Sequence, residues 1–477
     1  VTTPAGDTIV IGNGALGSAI SLELARRGHR VTRLGRAARP LAASTAAGAM
    51  LGCFGEVTTS VLASEHGRAK LAMDIEARRF WPEWDELLAD ASGDEESLFT
   101  SDGTTVILNS AGSRAVDSGN YAAIISSLDE AQEPYEDVDA DAIDWLDPND
   151  LVRPLRALHI PGERSVDSHR LLVKSDAALA RYGGVVDERE ARRVVVTAGR
   201  LTGVELVDGT VLTAGSVVIA AGARSLSLLD DVPDIRAKIP PMVSGYGVSV
   251  LLEPEERPLP RTVIRTPNRA FACGLHAVPR DDSTLYVGAT NIVSPEPRET
   301  AALGDLQFLI GCAIDQLHTN LAEAALLRVQ VGNRPIPADG FPLIGPTGID
   351  GLFLATGTYR DGLHQSPLIA GHVAGLVEGS EGHWSFLRDF EPVRAPLATG
   401  DRASVVETTV EHMMATGWEY RWNVISEWPP RIERHLHRHY AELVDGLHET
   451  FTPPAELVAA MSAPIRARLE RYYGEWS

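Results

Sequence analysis

Apolar positions along this chain alternate between two spacings. Residues 8–12, Thr-Ile-Val-Ile-Gly, form a short β-branched run of the kind a buried parallel strand uses. A helical period follows: Leu16, Ile20, Leu24 and Ala25 share one face, and Gly28 stands where a helix C-cap belongs. Residues 31–34 then resume an extended pattern. The same order returns near the other end, where 351–356 reads as a strand entering a Gly-rich turn and 367–377 as an apolar helix. Between them, 70–88 and 168–180 read as helices, the latter capped at its start, and 216–220 as a buried strand ending in a turn at Gly222. The runs 247–252 and 285–287 alternate as antiparallel strands do, and the acidic stretch 129–150 reads as a solvated face and loop. Beyond Pro396, Trp418 and Trp422 stand one helical turn apart, which predicts a shared buried face and a folded appendage. His435 and His439 share a helix face with no acid at ligand spacing, so no metal site is expected.

Composition narrows the classes. A length of 477 residues suits two to three domains, and 44% hydrophobic with 23% charged residues is an ordinary soluble balance. The formal charge of −22 repels phosphate backbones and anionic lipid, so neither nucleic acid nor membrane is an expected partner. No signal-peptide pattern opens the sequence and no apolar run is long enough to span a bilayer, which makes a cytoplasmic protein the expectation. Cys53, Cys273 and Cys312 are too scattered for a disulfide framework or a zinc site.

The first turn carries chemistry. Gly12-Asn13-Gly14-Ala15-Leu16-Gly17 lies between a strand and a helix, the arrangement of a dinucleotide fingerprint. Gly12 permits the tight turn, Gly14 lets a pyrophosphate approach, and Gly17 lets the helix pack closely, so that the anion meets the positive helix end. The acid that should follow the second strand is absent. Gly35-Arg36 stands there instead, leaving open an Arg36 contact with the 2′-phosphate of NADP or with the adenine and ribose of another dinucleotide. Residues 43–52 are small up to Met50, which would let the backbone lie against a flat ligand, while Ser44 and Thr45 could donate to its oxygens.

Together with the blocks Ser44–Gly52, His276-Ala-Val-Pro279-Arg280, Val287–Thr290, Gly332–Gly345 and Ala355–Gly362, this fingerprint resembles the FAD-dependent D-amino-acid oxidase-like superfamily, in its glycine oxidase-like branch. The resemblance implies an α/β fold in which a Rossmann-like FAD-binding domain (1–80, 165–240 and 325–395) is interleaved with an antiparallel-sheet α+β substrate domain (81–164 and 241–324). A C-terminal helical appendage (396–477) follows. It implies FAD contacts from the fingerprint residues, Arg36, Ser44, Thr45, Ala47, Gly48, Ala49, Met50, Arg192, Ala221, Gly222, and Thr358, Tyr359, Arg360, Asp361, Gly362 and Leu363. FAD should be non-covalent, because no cysteine stands at Val331–Arg334 where sarcosine-type relatives attach it.

Arg334 matches the family's carboxylate-binding arginine, whose planar fork suits that anion. Arg360 is the second catalytic candidate, with loop N–H groups placed for charge at the flavin. His276 replaces a tyrosine and could titrate near neutrality, and Met50 would line the flavin or substrate wall. Glu56 would stand near the entrance without acting as a base. The implied reaction is oxidation of glycine or an N-substituted glycine, with O2 as acceptor. The alternatives are a D-amino-acid or other secondary-amine oxidase and, in another class, an NADP-dependent reductase. The appendage would cap the entrance or build the interface of a homo-oligomer.

Overall fold

The computed structural model describes residues 7–269, 271, 274–380, 384–420 and 422–477, so Cys273 lies outside the described residues. Strand Asp7–Ile11 pairs parallel with Arg30–Leu34 on one side and Ser216–Ile219 on the other. Val185–Asp187 extends the first side and Leu352–Thr356 the second, and Leu343–Pro346 closes the edge antiparallel. Helix Ala15–Arg26 follows the first strand and stops before Gly28, whose φ of 90° favours glycine. Its apolar stripe predicts one buried face. In fact every residue from Ala15 to Ala25 except Leu16 is buried, because helices Ser168–Arg181 and Ser366–Val377 cover what the sheet does not. The cap of Ser168–Arg181 is Asp167, which accepts from the His169 and Arg170 amides.

The helix expected over 70–88 is two helices, Glu65–Arg78 and Trp81–Ser92. Pro82 stands in the first turn of the second, where its missing N–H is tolerated, and it cannot continue the first. Trp81, Trp84, Leu88 and Ala91 share a core with Ile20, Leu24, Leu368 and Val373, and Trp81 Nε1 donates to the His364 carbonyl at 2.9 Å. Burial of these large side chains packs Trp81–Ser92 against the helices that cover the parallel sheet.

The second sheet is built on Met242–Glu253, antiparallel to Ala325–Pro337 along its length from Met242↔Pro337 to Glu253↔Ala325. Leu285–Gly288 and Ile292–Ser294 pair with its other edge. The alternation over 247–252 does not divide core from solvent, since residues 242–250 are buried throughout. Val250 and Leu252 pack with Leu309 and Ala313 of helix Leu303–Gln316, while Ser249 on the opposite face donates to the Ala46 carbonyl.

The appendage is helical: Arg402–Glu419, Pro429–Asp445, Ala455–Ala459 and Ala463–Gly474. Its last helix docks through Ile465, Leu469, Tyr472 and Tyr473 against Val243, Ile336 and Ala338. The shared buried tryptophan face does not form. The helix stops at Glu419, Trp422 turns back toward Gly417, and Trp418 is 43% exposed, its ring edge-on to Trp422 at 5.3 Å. His435 and His439 are exposed on Pro429–Asp445. Among the described residues no helix is long and apolar enough to cross a membrane.

Candidate active site

A cavity of about 810 Å³ joins the glycine turn to the long strands, with Gly12, Arg334 and Tyr359 all on its wall. The turn requires its glycines. Gly12 has φ 119°, and a Cβ there would lie 2.2 Å from the Ala220 carbonyl oxygen. Gly17 lies off the wall, and a Cβ on it would meet the Gly12 carbonyl oxygen at 2.0 Å. Gly14 precedes the helix without a side-chain cap, and Ser44 Oγ accepts from the Ala15 amide at 2.9 Å. Asn13, Gly14, Ala15 and Leu16 thus bring the positive helix end to the cavity, a cradle that fits a pyrophosphate.

Residues 43–50 are held by their carbonyls. Gln330 donates to Thr45, Ser249 and Tyr286 to Ala46, and Arg280 to Ala47. Ser44 and Ala47 reach the cavity wall, whereas Thr45, Gly48, Ala49 and Met50 do not. Thr45 Oγ1 turns to the Ala42 carbonyl, and Gly48 sits against His276 and Tyr286. At Ala49 the chain takes a left-handed φ of 53°, and Met50 packs against the cluster of Val263, Val278 and Tyr286. Met50 is half-buried there and stands off the wall expected for it.

At the other end of the turn, Arg36 and Arg192 line the cavity but each has an acid beside it, Glu190 at 3.6 Å and Glu205 at 3.3 Å. Glu190 is itself on the wall. The acid missing after the second strand is thus offered by a different segment, just past Val185–Asp187, which lies alongside Arg30–Leu34. It offsets the Arg36 charge that suggested a 2′-phosphate. Nothing local in the sequence marks Glu190, because only strand pairing brings it there. Ala221 and Gly222 line the cavity from the end of Ser216–Ile219, and Thr356 Oγ1 donates to the Gly222 carbonyl at 3.1 Å, tying the two strand-end turns together. The glycine turn, the helix end and a nearby acid fit a dinucleotide such as FAD.

Arg334 sits on Ala325–Pro337 opposite Gly245. Its Nη1 donates to the Thr290 carbonyl at 3.1 Å and Asn291 Oδ1 at 3.3 Å, and among the described residues no carboxylate lies within ion-pairing distance. Gly247 makes the room, since a Cβ there would stand 2.3 Å from that Nη1. The available signal was the pair Gly245 and Gly247 inside a strand, a spacing that marks close approach of another group.

Arg360 differs. Its Nη2 meets the Phe271 carbonyl at 3.0 Å, the Tyr359 hydroxyl at 2.9 Å and Glu456 at 3.1 Å, and the guanidinium lies over the Tyr359 ring. The Tyr359 hydroxyl donates to Glu456 at 2.8 Å and accepts from Asn291 Nδ2 at 2.5 Å. Arg360's charge is therefore answered by the appendage. Thr358, Gly362 and Leu363 line the cavity, but Asp361 turns away to pair with Lys70.

His276 lies on strand His276–Pro279, off the cavity wall, with its ring stacked on Tyr286 at 5.6 Å and Nδ1 3.1 Å from the Gly274 carbonyl. Burial, with Arg265 adding to it, pushes its pKa down to about 3. The expected titration near neutrality is corrected: the ring is neutral there. Glu56 is held ionised by Arg265 and Asn268, which outweigh its burial and lower its pKa to about 2.

The family model for FAD dependent oxidoreductases (DAO) matches residues 7–376. Glycine oxidase of Geobacillus kaustophilus (strain HTA426) is 27% identical over 401 residues, covering 79% of this chain and 93% of that protein. Glycine oxidase of Pseudomonas aeruginosa is 25% identical over 376 residues, covering 78% and 95%. The crystal structure of the G. kaustophilus glycine oxidase matches with a TM-score of 0.70 at 25% identity, over 82% of this chain and 100% of that one. An iminodiacetate oxidase from Chelativorans sp. BNC1, 21% identical with a TM-score of 0.68, shares the fold over 82% of this chain and 100% of its own. The chain therefore belongs to the FAD-dependent oxidoreductases of the DAO family, and within it is similar to glycine oxidases.

Proposed function

We propose that the protein oxidises the C–N bond of glycine or an N-substituted glycine to an imine, which water hydrolyses to glyoxylate and the amine. Asn13, Gly14, Ala15 and Leu16 of the glycine turn would hold FAD non-covalently, and FAD would supply an acceptor for the Cα hydride and a route for the electrons to O2, with H2O2 as the second product. One observation carries this reading: Arg334 reaches the cavity as a guanidinium with no acid beside it among the described residues. A substrate carboxylate supplies the missing anion, and two parallel N–H donors fix it in orientation. Thr290 and Asn291 hold the arginine from behind, so the clamp is set before substrate arrives. Arg360, already neutralised by Glu456, offers no equal attraction and does not divert the carboxylate.

The purified protein should be yellow, and its visible band should bleach anaerobically with glycine or N-alkylglycines and return with O2 as peroxide forms. Bleaching by D-amino acids with bulky side chains, and by no glycine derivative, would overturn the substrate reading in favour of a D-amino-acid oxidase.

A further inference from the structure

A second cavity, of about 250 Å³, lies behind Tyr359 and Arg360, which also line the first. It is far larger than the roughly 10–15 Å³ that one water needs. Val61, Phe271 and Phe341 face it from the family portion of the chain, and Val405, His412 and Ala455 from the appendage. The Phe271 and His412 rings stack at 4.4 Å, and the Phe271 amide donates to His412 Nδ1 at 3.1 Å. Burial pushes His412 down to about 4, so it is a neutral acceptor.

The charges on this wall are all met. Glu56 pairs with Arg265, Arg269 with Asp117, Lys70 with Asp74 and Asp361, and Arg360 with Glu456. An anion entering here would find no unpaired cation and would still lose its water; a cation would lose its water too, and would have to compete with Lys70, which already stands between the Asp74 and Asp361 carboxyls. Arg334, in the adjoining cavity, presents the opposite situation. We propose that the second cavity is the subsite for the substrate's nitrogen substituent and takes an uncharged, largely apolar group such as an aromatic ring. This rests on the N-substituted-glycine reading. The appendage roofs the subsite, and Glu456 is a positioning residue. It holds Tyr359 and Arg360, which border both cavities, and Asn291 links Tyr359 to Arg334.

The test compares glycine, N-benzylglycine and iminodiacetate with the flavin-loaded enzyme. N-Benzylglycine should show kcat/KM roughly tenfold or more above both others. Ala455→Trp, which fills the cavity, should lower the N-benzylglycine to glycine ratio by a similar factor. It should also weaken, by calorimetry, the binding of (benzylthio)acetate, which has no oxidisable amine. Iminodiacetate turned over as well as N-benzylglycine would overturn the proposal, as would an unchanged ratio in Ala455→Trp. Bleaching by glycine without preference for the benzyl compound overturns the subsite alone, whereas no bleaching by any of the three overturns the glycine-oxidation reading as well. Should Ala455→Trp not fold, the three-substrate comparison still decides.

Discussion

The two cavities share the Tyr359–Arg360 wall, yet they are made differently. One end of the first is built on main chain: glycine turns at strand ends, a helix N-terminus, and a small-residue segment held by its carbonyls. The second is made of side chains from distant segments, and its charges are matched across those segments. A backbone cradle depends on local conformation, so one glycine can destroy it. A side-chain chamber depends on docking, so it should loosen by degrees.

The largest effect should come from Gly12→Val. A positive φ and a Cβ 2.2 Å from the Ala220 carbonyl oxygen leave that side chain no room. The variant should be isolated without flavin, as absorbance at the flavin band against protein would show. A fully yellow Gly12→Val protein would mean that the cradle is not where the dinucleotide sits.

Arg334→Ala comes next. Charge-assisted hydrogen bonds contribute about 1.5–3 kcal/mol each, so loss of two should lower kcat/KM for glycine by roughly a hundredfold or more with flavin content kept. Arg360→Ala should cost less, because its guanidinium is already engaged by Glu456. If Arg360→Ala instead proves the more damaging to KM, the two arginines have exchanged the roles assigned to them.

The same division explains what could be read in advance. Gly12, Gly14 and Gly17 announce themselves because a tight turn before a helix is a local backbone demand. Membership of a motif block does not fix where a side chain points. Thr45, Gly48, Met50 and Asp361 lie in the right blocks and off the cavity wall, Met50 following the left-handed turn at Ala49. Glu190, Asn291 and Glu456 carry no local mark, since strand pairing and appendage docking bring them into place. The tryptophans mislead for a related reason: a period implies a face only while the helix continues, and this one ends between them.

Leu469→Ala probes the docking that roofs the second cavity. The side chain is 1% exposed in the seam with Val243 and Ile336, so truncation should cost about 2–5 kcal/mol. Denaturant titration should show the loss while flavin content stays near that of the unaltered protein. Loss of flavin in step with the appendage would show that the two cavities are one cooperative unit.

The smallest effect is a pH dependence at a different contact of the appendage, where its first helix ends near Arg269 and Asp117. Glu419 ends the helix Arg402–Glu419, and burial raises its pKa from 4.5 to about 7. Arg269 opposes the shift and Asp117 adds to it, as the negative helix end also should. A carboxyl whose folded pKa is raised contributes its stability fully below 4.5 and loses it as pH rises through about 7. Glu419→Gln removes the ionisation. Its Tm should match that of the unaltered protein near pH 5 and exceed it by a few degrees at pH 8. An equal gap at both pH values would mean that Glu419 is solvated and that the contact between the end of this helix and Arg269 is wet.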